Sequence, residues 1–243
     1  MLNINRLEKS FGNKKVLSKI DVSFKDSGVS VIVGTNGCGK TTLMNILAHM
    51  LSFTSGEISC DGNVIGSKEY KQQVFYIPSD FYLPEYMTGK EYLDFILKHY
   101  QQSNFDLIDI LLDMFDLKEM ITDLLETYSF GLKKKIQIIA ALASNTKYIL
   151  ADEVFSGLDF DTVLLLQEVF DHQKHQRSII VISHDFNTLV RFPNHIFIMS
   201  KGRLLPYEGK VEGIYSMVKE IGETYAKLEK LRSYFGTHQA FSE

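Results

Sequence analysis

Hydrophobic and polar positions near the start of the chain alternate with a period of two. Ile20, Val22 and Phe24 fall on one side and Asp21, Ser23 and Lys25 on the other, which predicts a strand with one wet face in an antiparallel opening. Residues 30–33 form a short β-branched run that ends in a glycine-rich turn, and residues 42–47 after it have helical spacing. Strand, loop and helix therefore follow one another directly. Residues 56–62 read as a short strand closed by a turn, and residues 73–77 as another strand stopped by Pro78, which has no N–H to donate to a ladder.

Between about residues 87 and 128 the period changes to that of a helix. Thr88 can cap, with Glu91 three residues on, and Tyr92, Phe95, Ile96 and His99 fall on one face. A second helix is expected over 107–115 and a third over about 117–125, so the region reads as a helical subdomain inserted between strands of the main sheet. Three β-rich runs return at 148–150, 178–182 and 195–199, with a helix over about 160–172 between the first two. This alternation argues for βαβ units and a mainly parallel sheet. The stretch 213–235 is amphipathic and helical.

Composition narrows the class. A chain of 243 residues, 45% hydrophobic, is long enough for one sizeable α/β core carrying a smaller helical insert. The formal net charge of -4 leaves no global positive field to hold nucleic acid or an anionic membrane, so a partner must be met through a specific surface. Only Cys38 and Cys60 occur, a usage that reads as reduced thiols in a cytosolic protein. The first residues mix charge and polarity and lack the apolar stretch of a signal peptide. The longest apolar runs are strand-length, well short of the roughly 18 to 20 residues a spanning helix needs, so any membrane is crossed by another chain.

Three constellations carry chemistry. Gly34-Thr35-Asn36-Gly37-Cys38-Gly39-Lys40-Thr41 satisfies G-x-x-x-x-G-K-[ST] between an apolar strand and a helix. The glycines let backbone N–H groups converge on phosphates, Lys40 adds a positive charge, the helix N-terminus adds its dipole, and Thr41 offers its hydroxyl to Mg²⁺. Cys38 fills an unspecified position, where a tolerated small residue is the simpler reading than a redox switch. Next, the run 148–152 is a buried strand that delivers Asp152 and Glu153 at its end. Successive side chains on a strand point to opposite sides, so Asp152 can face a metal while Glu153 faces an attacking water. Finally, His184 lies just past the run 178–182, at the edge where open α/β sheets bind ligands, and its imidazole can donate to a phosphate oxygen.

Together these elements resemble the ATP-binding cassette (ABC) family, the nucleotide-binding subunits of ABC transporters, over residues 2 to about 209. The order of the motifs carries the resemblance. Tyr128-Ser129-Phe130-Gly131-Leu132-Lys133-Lys134-Lys135 stands where that family has a serine-glycine signature opening a helix. By resemblance, residues 34–42, Thr42 included, are the Walker A motif and residues 148–152 the Walker B. Glu153 is the catalytic carboxylate, 156–159 with Asp159 the D-loop, and His184 the switch histidine. Phe11 stands where the family stacks an aromatic on adenine, with Val16 beside it.

The resemblance implies a P-loop NTPase core with a mainly parallel sheet, an antiparallel β part and a helical subdomain. The whole chain is then one ATPase domain: core residues 1–86 and 146–209, helical subdomain 87–145 and tail 210–243. It implies an ATPase using ATP and Mg²⁺, and a head-to-tail homodimer or heterodimer in which Ser129, with the amides of Phe130 and Gly131, caps the γ-phosphate held by the other subunit. It further implies an integral membrane permease as partner and a cytoplasmic place, peripheral on the inner face of the cell membrane.

Two departures are visible. Phe130 replaces the first signature glycine, and the glutamine that usually follows the strand 73–77 is missing, so Ser79 or Asp80 would join the metal shell instead. The length and the brief loop after Ile77 look more like small exporter or peptide-resistance cassettes than importers. The alternative is a soluble ABC-type ATPase acting on ribosomes or nucleic acid without transport. That would need two cassettes in one chain or a long coiled-coil insert, and a basic groove, and the sequence shows none of these.

Overall fold

Val31, Val33, Ile149, Ala151, Ile179 and Val181 point into one buried cluster, while their immediate neighbours Ile32, Tyr148, Leu150, Ile180 and Ile182 point into another. Burial on both faces is what continuous apolar runs in parallel strands require, and it makes the sheet the middle layer of three. In this computed structural model residues 1–80, 83–221 and 230–234 are described. From the N-terminus they form β1 (Leu2–Phe11), β2 (Lys14–Phe24), β3 (Gly28–Gly34), α1 (Lys40–Leu47), β4 (Ser55–Cys60), β5 (Asn63–Val64), α2 (Lys68–Gln73) and β6 (Val74–Ile77). There follow α3 (Gly89–Leu97), α4 (Asp106–Met114), a 3-10 turn (Leu125–Thr127), α5 (Phe130–Ala143), β7 (Tyr148–Asp152), α6 (Phe160–Gln173), β8 (Ser178–Ile182), α7 (Phe186–Arg191), β9 (Ile196–Ser200), β10 (Arg203–Tyr207) and α8 (Val211–Ile221).

The larger sheet has the order β10-β9-β3-β8-β7-β6, parallel except for β10 at one edge. The antiparallel sheet β2-β1-β4-β5 covers one face together with α1, burying Leu2, Ile4, Leu17, Ile20 and Phe24 against Leu43, Met44 and Leu47. Helices α3 to α6 cover the other face. The antiparallel opening is present, and β1, which the alternation did not predict, lies inside it between β2 and β4. Positive φ at Arg6 and Lys19 marks bulges that shift the apolar phase of β1 and β2 by one residue, so that Leu7 and Ile20 still face inward.

Three expectations are corrected. Gln73 closes α2 and does not begin β6. Residues 117–125 form turns instead of a third helix, because their backbone groups bond sideways: Leu125 N–H donates to the Met87 carbonyl at 2.8 Å, and the Ile121 carbonyl accepts from Lys90 N–H at 2.8 Å. The buried stripe of α3 runs through Tyr92, Leu93 and Leu97. Phe95 and His99 turn outward and meet edge to face, 5.0 Å between centroids. Of the helix expected over 213–235, the part through Ile221 is present as α8; residues 222–229 and 235 lie outside the described residues.

The predicted cap of α3 is present as a reciprocal pair: Glu91 N–H donates to Thr88 Oγ1 at 3.2 Å, and Thr88 N–H donates to Glu91 Oε2 at 2.9 Å. Thr88→Ala should therefore destabilise the chain by about 1 kcal/mol in urea denaturation, without changing the dependence on denaturant.

Candidate functional site

Hydrogen bonding across the sheet puts Ile32, Ile182 and Asp152 in one row, since Ile182 of β8 pairs with Ile32 of β3 on one side and with Asp152 of β7 on the other. Just beyond that row β3 gives way to the loop 34–39, β8 to Ser183 and His184, and β7 to Glu153. Three of the sequence-predicted groups thus meet at one sheet edge because three strands end together.

The loop is built around Gly39, whose φ of 109° is a left-handed conformation. A Cβ there would also stand 2.9 Å from a Leu17 methyl and 3.2 Å from the Val16 carbonyl, so glycine lets the loop settle against β2. Lys40, 6% exposed, folds back and donates to the carbonyls of Gly34 at 2.8 Å and Thr35 at 3.0 Å. Asn36, Gly37 and Thr41 are exposed, and Thr35, Cys38 and Thr42 are half-buried, so the rim of the loop faces solvent around a buried ammonium. Burial pushes the Cys38 thiol up, opposite to what a thiolate switch needs. Phe11 is about half exposed (49%) at the end of β1, with the Lys9 ammonium 4.7 Å from its ring centroid.

Asp152 follows Tyr148 and Leu150 in phase, toward the face that α1 covers. It is 1% exposed, and neither carboxylate oxygen has a hydrogen-bond partner among the described residues. Burial raises its carboxyl above the ordinary aspartate range. Only the nearby Thr41 hydroxyl and the charges of Lys40 and Lys134 offset this, so the carboxylate is short of compensation until a cation arrives. Among the described residues no group of three or more His, Cys, Asp or Glu could hold a metal, so a cation here would be met by one carboxylate, hydroxyls, phosphate oxygens and water, the manner of Mg²⁺. Ser79 is half-buried and Asp80 exposed just past β6. Asp80 acts electrostatically on Lys134 and Tyr76, the same two groups that feel Asp152.

Glu153 takes a φ of 48°, which ends the strand, and its Oε1 lies 3.5 Å from His184 Nε2. Burial, and then the charge of Lys40, hold His184 below the ordinary histidine range, so at neutral pH the imidazole is uncharged and offers one N–H. Ser129 caps α5, accepting from Leu132 N–H at 3.3 Å, and is exposed at the helix head. The Phe130 ring fills the space over Gly157: a Cβ on Gly157 would come within 2.6 Å of it. Replacement of a glycine by Phe130 is thus matched by a glycine opposite. Gly131 lies against the same segment, its Cβ position 3.3 Å from the Gly157 carbonyl. Both oxygens of Asp159 are engaged within the chain, by Thr162 at the start of α6 and by Lys135 at 3.2 Å, which places it in the frame around the site.

Sequence reasoning passed over Lys134. It is 1% exposed, and its ammonium donates to the Glu153 carbonyl at 3.0 Å. The signal was available: Lys134, Ile138 and Ala141 recur at helical spacing on the inner face of α5, so this lysine sits on an apolar stripe.

Comparison with known proteins bears on the same features. Residues 17–156 match the family described as ABC transporter. The chain is 28% identical over 210 residues to the uncharacterized ABC transporter ATP-binding protein YcbN of Bacillus subtilis (strain 168), spanning 84% of this chain and 68% of that protein. It is 26% identical over 225 residues to the petrobactin import ATP-binding protein FpuD of Bacillus anthracis, spanning 88% and 82%. A solved ATP-binding subunit of an ABC transporter superposes with a TM-score of 0.79 at 25% identity, over 94% of this chain and 99% of that one. A loop built to hold phosphates, at the end of a sheet shared with these relatives, leads to one conclusion: the chain belongs to the ABC transporter family and is an ATP-binding subunit of it, an ATPase.

Proposed function

We propose that the chain binds Mg-ATP at the edge where β3, β8 and β7 end, closes over it with a second ATPase subunit, and couples hydrolysis to a membrane permease. One observation carries the reading: the buried Asp152 carboxylate, left without a partner beside the loop that holds Lys40. Asp152 and the Thr41 hydroxyl would hold Mg²⁺, with Ser79 or Asp80 reaching its shell through water; when bound, the ion neutralises phosphate charge.

The chain's own groups do the rest. Lys40 exchanges the carbonyls of Gly34 and Thr35 for phosphate oxygens, and the amides of 35–41 complete the cradle. Glu153 takes the proton of the water that attacks the γ-phosphorus, as the bond to the ADP oxygen breaks. The neutral His184 gives its N–H to a γ-phosphate oxygen. Ser129 and the free amides at the head of α5 supply the second anion site, facing the nucleotide of the opposite subunit, homodimeric or heterodimeric, in a head-to-tail arrangement.

Among the described residues no helix is long and apolar enough to cross a membrane. A peripheral place on the inner face, held through the permease, follows from the reading. A groove of about 900 Å³ between α2, β6 and α3, where Phe95 and His99 turn outward, gives the helical part a surface on which to meet that permease. The brief loop after Ile77 favours export, whereas the petrobactin relative is named for import. The permease that co-purifies with the chain from membranes decides the direction.

Glu153→Gln should accumulate an ATP-bound dimer; a variant that stays monomeric in gel filtration with excess Mg-ATP contradicts the closing step. Lys40→Ala should weaken ATP binding by about 100-fold or more in calorimetry, the scale of a lost charge-assisted contact. Asp152→Asn should abolish hydrolysis yet stabilise the metal-free chain at neutral pH by about 1 to 3 kcal/mol, because it removes the charge that burial penalises. Because the folded carboxyl is raised above its unfolded value, that cost is absent below the ordinary aspartate range and complete only above the raised value. The gain should therefore vanish in melts near about pH 3.

A further inference from the structure

A lysine buried this deeply needs its donors met, and Lys134 has few groups to meet them. Its ammonium donates to the carbonyl of Glu153 at 3.0 Å and more weakly to that of Ser156 at 3.5 Å, and the Phe130 ring centroid lies 5.4 Å away. No carboxylate stands within ion-pair distance of it among the described residues, although the charges of Glu153, Asp152 and Asp80 all act on it. The ammonium is therefore spent on main-chain oxygen atoms, in the turn that carries the carboxylate proposed to take the water's proton.

That turn needs holding. Glu153 sits at a φ of 48°, a left-handed conformation that a side chain with a Cβ adopts only when its surroundings fix it. Its N–H is tied to the Ile182 carbonyl at 3.1 Å, and its own carbonyl accepts from Ser156 N–H at 3.1 Å as well as from Lys134. The peptide units on both sides of Glu153 are thus pinned, one by the neighbouring strand and one by the helix. Through Lys134, the helix whose head carries Ser129 and Phe130 grips the turn after β7; Phe130 over Gly157 grips the same segment four residues after Glu153.

We propose that Lys134 is a positioning residue for hydrolysis: by holding the carbonyls of Glu153 and Ser156 it fixes the left-handed turn that aims the Glu153 carboxylate, and makes that aim depend on the placement of α5. The inference rests on the reading of Glu153 as the group that takes the water's proton. It goes beyond that reading in naming what orients it.

The test is steady-state ATP hydrolysis by the full chain, with Mg-ATP affinity measured in parallel. Lys134→Met should lower kcat by about tenfold to a hundredfold, the scale of a small misplacement of a catalytic group, while KM and Mg-ATP affinity stay within about twofold. Lys134→Arg, which keeps the donors, should recover at least part of the lost rate. In a Glu153→Gln background Lys134→Met should change the residual rate by less than about twofold, because the group it orients has already gone. If Lys134→Met does not fold, as judged by its thermal melt, Lys134→Gln is read by the same criteria.

An unchanged kcat, a loss that appears in KM and affinity as much as in kcat, or losses that multiply in the double variant would each overturn the proposal. Full activity in Glu153→Gln alone would instead overturn the carboxylate reading, whatever the Lys134 variants show.

Discussion

Everything at the site depends on the pairing of three strands. With Ile32, Ile182 and Asp152 held in one row, the loop after β3, the histidine after β8 and the acidic pair after β7 must emerge side by side. A slip of one residue in the β7–β8 pairing would turn Asp152 away from the α1 face and bury Glu153 in its place. Nothing in the loop could compensate. Side chains of β7 and β8 are close-packed into two different cores, and that fit is what makes such a slip costly, so the geometry of the chemistry is a by-product of how the middle layer is packed.

The edge is electrostatically unfinished, and that suits an ATPase. Lys40 is turned inward onto carbonyls, Asp152 has no partner, and His184 is held neutral by burial and by Lys40. Each of these groups is poised for a ligand that brings both positive and negative charge, as a metal-bound triphosphate does. Elsewhere the chain is generous with pairing: Lys147 alone joins Asp26 at 3.0 Å and Asp61 at 2.5 Å. Unpaired charge at the sheet edge is therefore local, a cost in stability borne where function needs it.

Much of this was legible in the sequence because it rests on short-range patterns. The β-branched run before Gly34, the loop spacing to Lys40 and the acidic pair ending an apolar run each state their own structure. What was missed depends on contacts far along the chain. Strand β1 hid behind a bulge at Arg6 that breaks its alternation, and residues 117–125 look helical until residues 85–90 claim their backbone hydrogen bonds. Phe95 and His99 fit a helical stripe as well as Leu93 and Leu97 do, and only packing against α5 decides which pair goes inside. Lys134 was lost among three consecutive lysines, although its spacing already set it on the inner face.

The proposed chemistry requires a metal-bound nucleotide at the ends of β3, β8 and β7. Replacing Mg²⁺ with paramagnetic Mn²⁺ in the ATP-bound chain and mapping which backbone resonances broaden tests this directly. Thr41, Asp152, Glu153 and Ser183 should broaden first, while residues at the opposite ends of the same strands, Gly28 and Ser178, stay sharp. Broadening centred anywhere else on the molecule would contradict it.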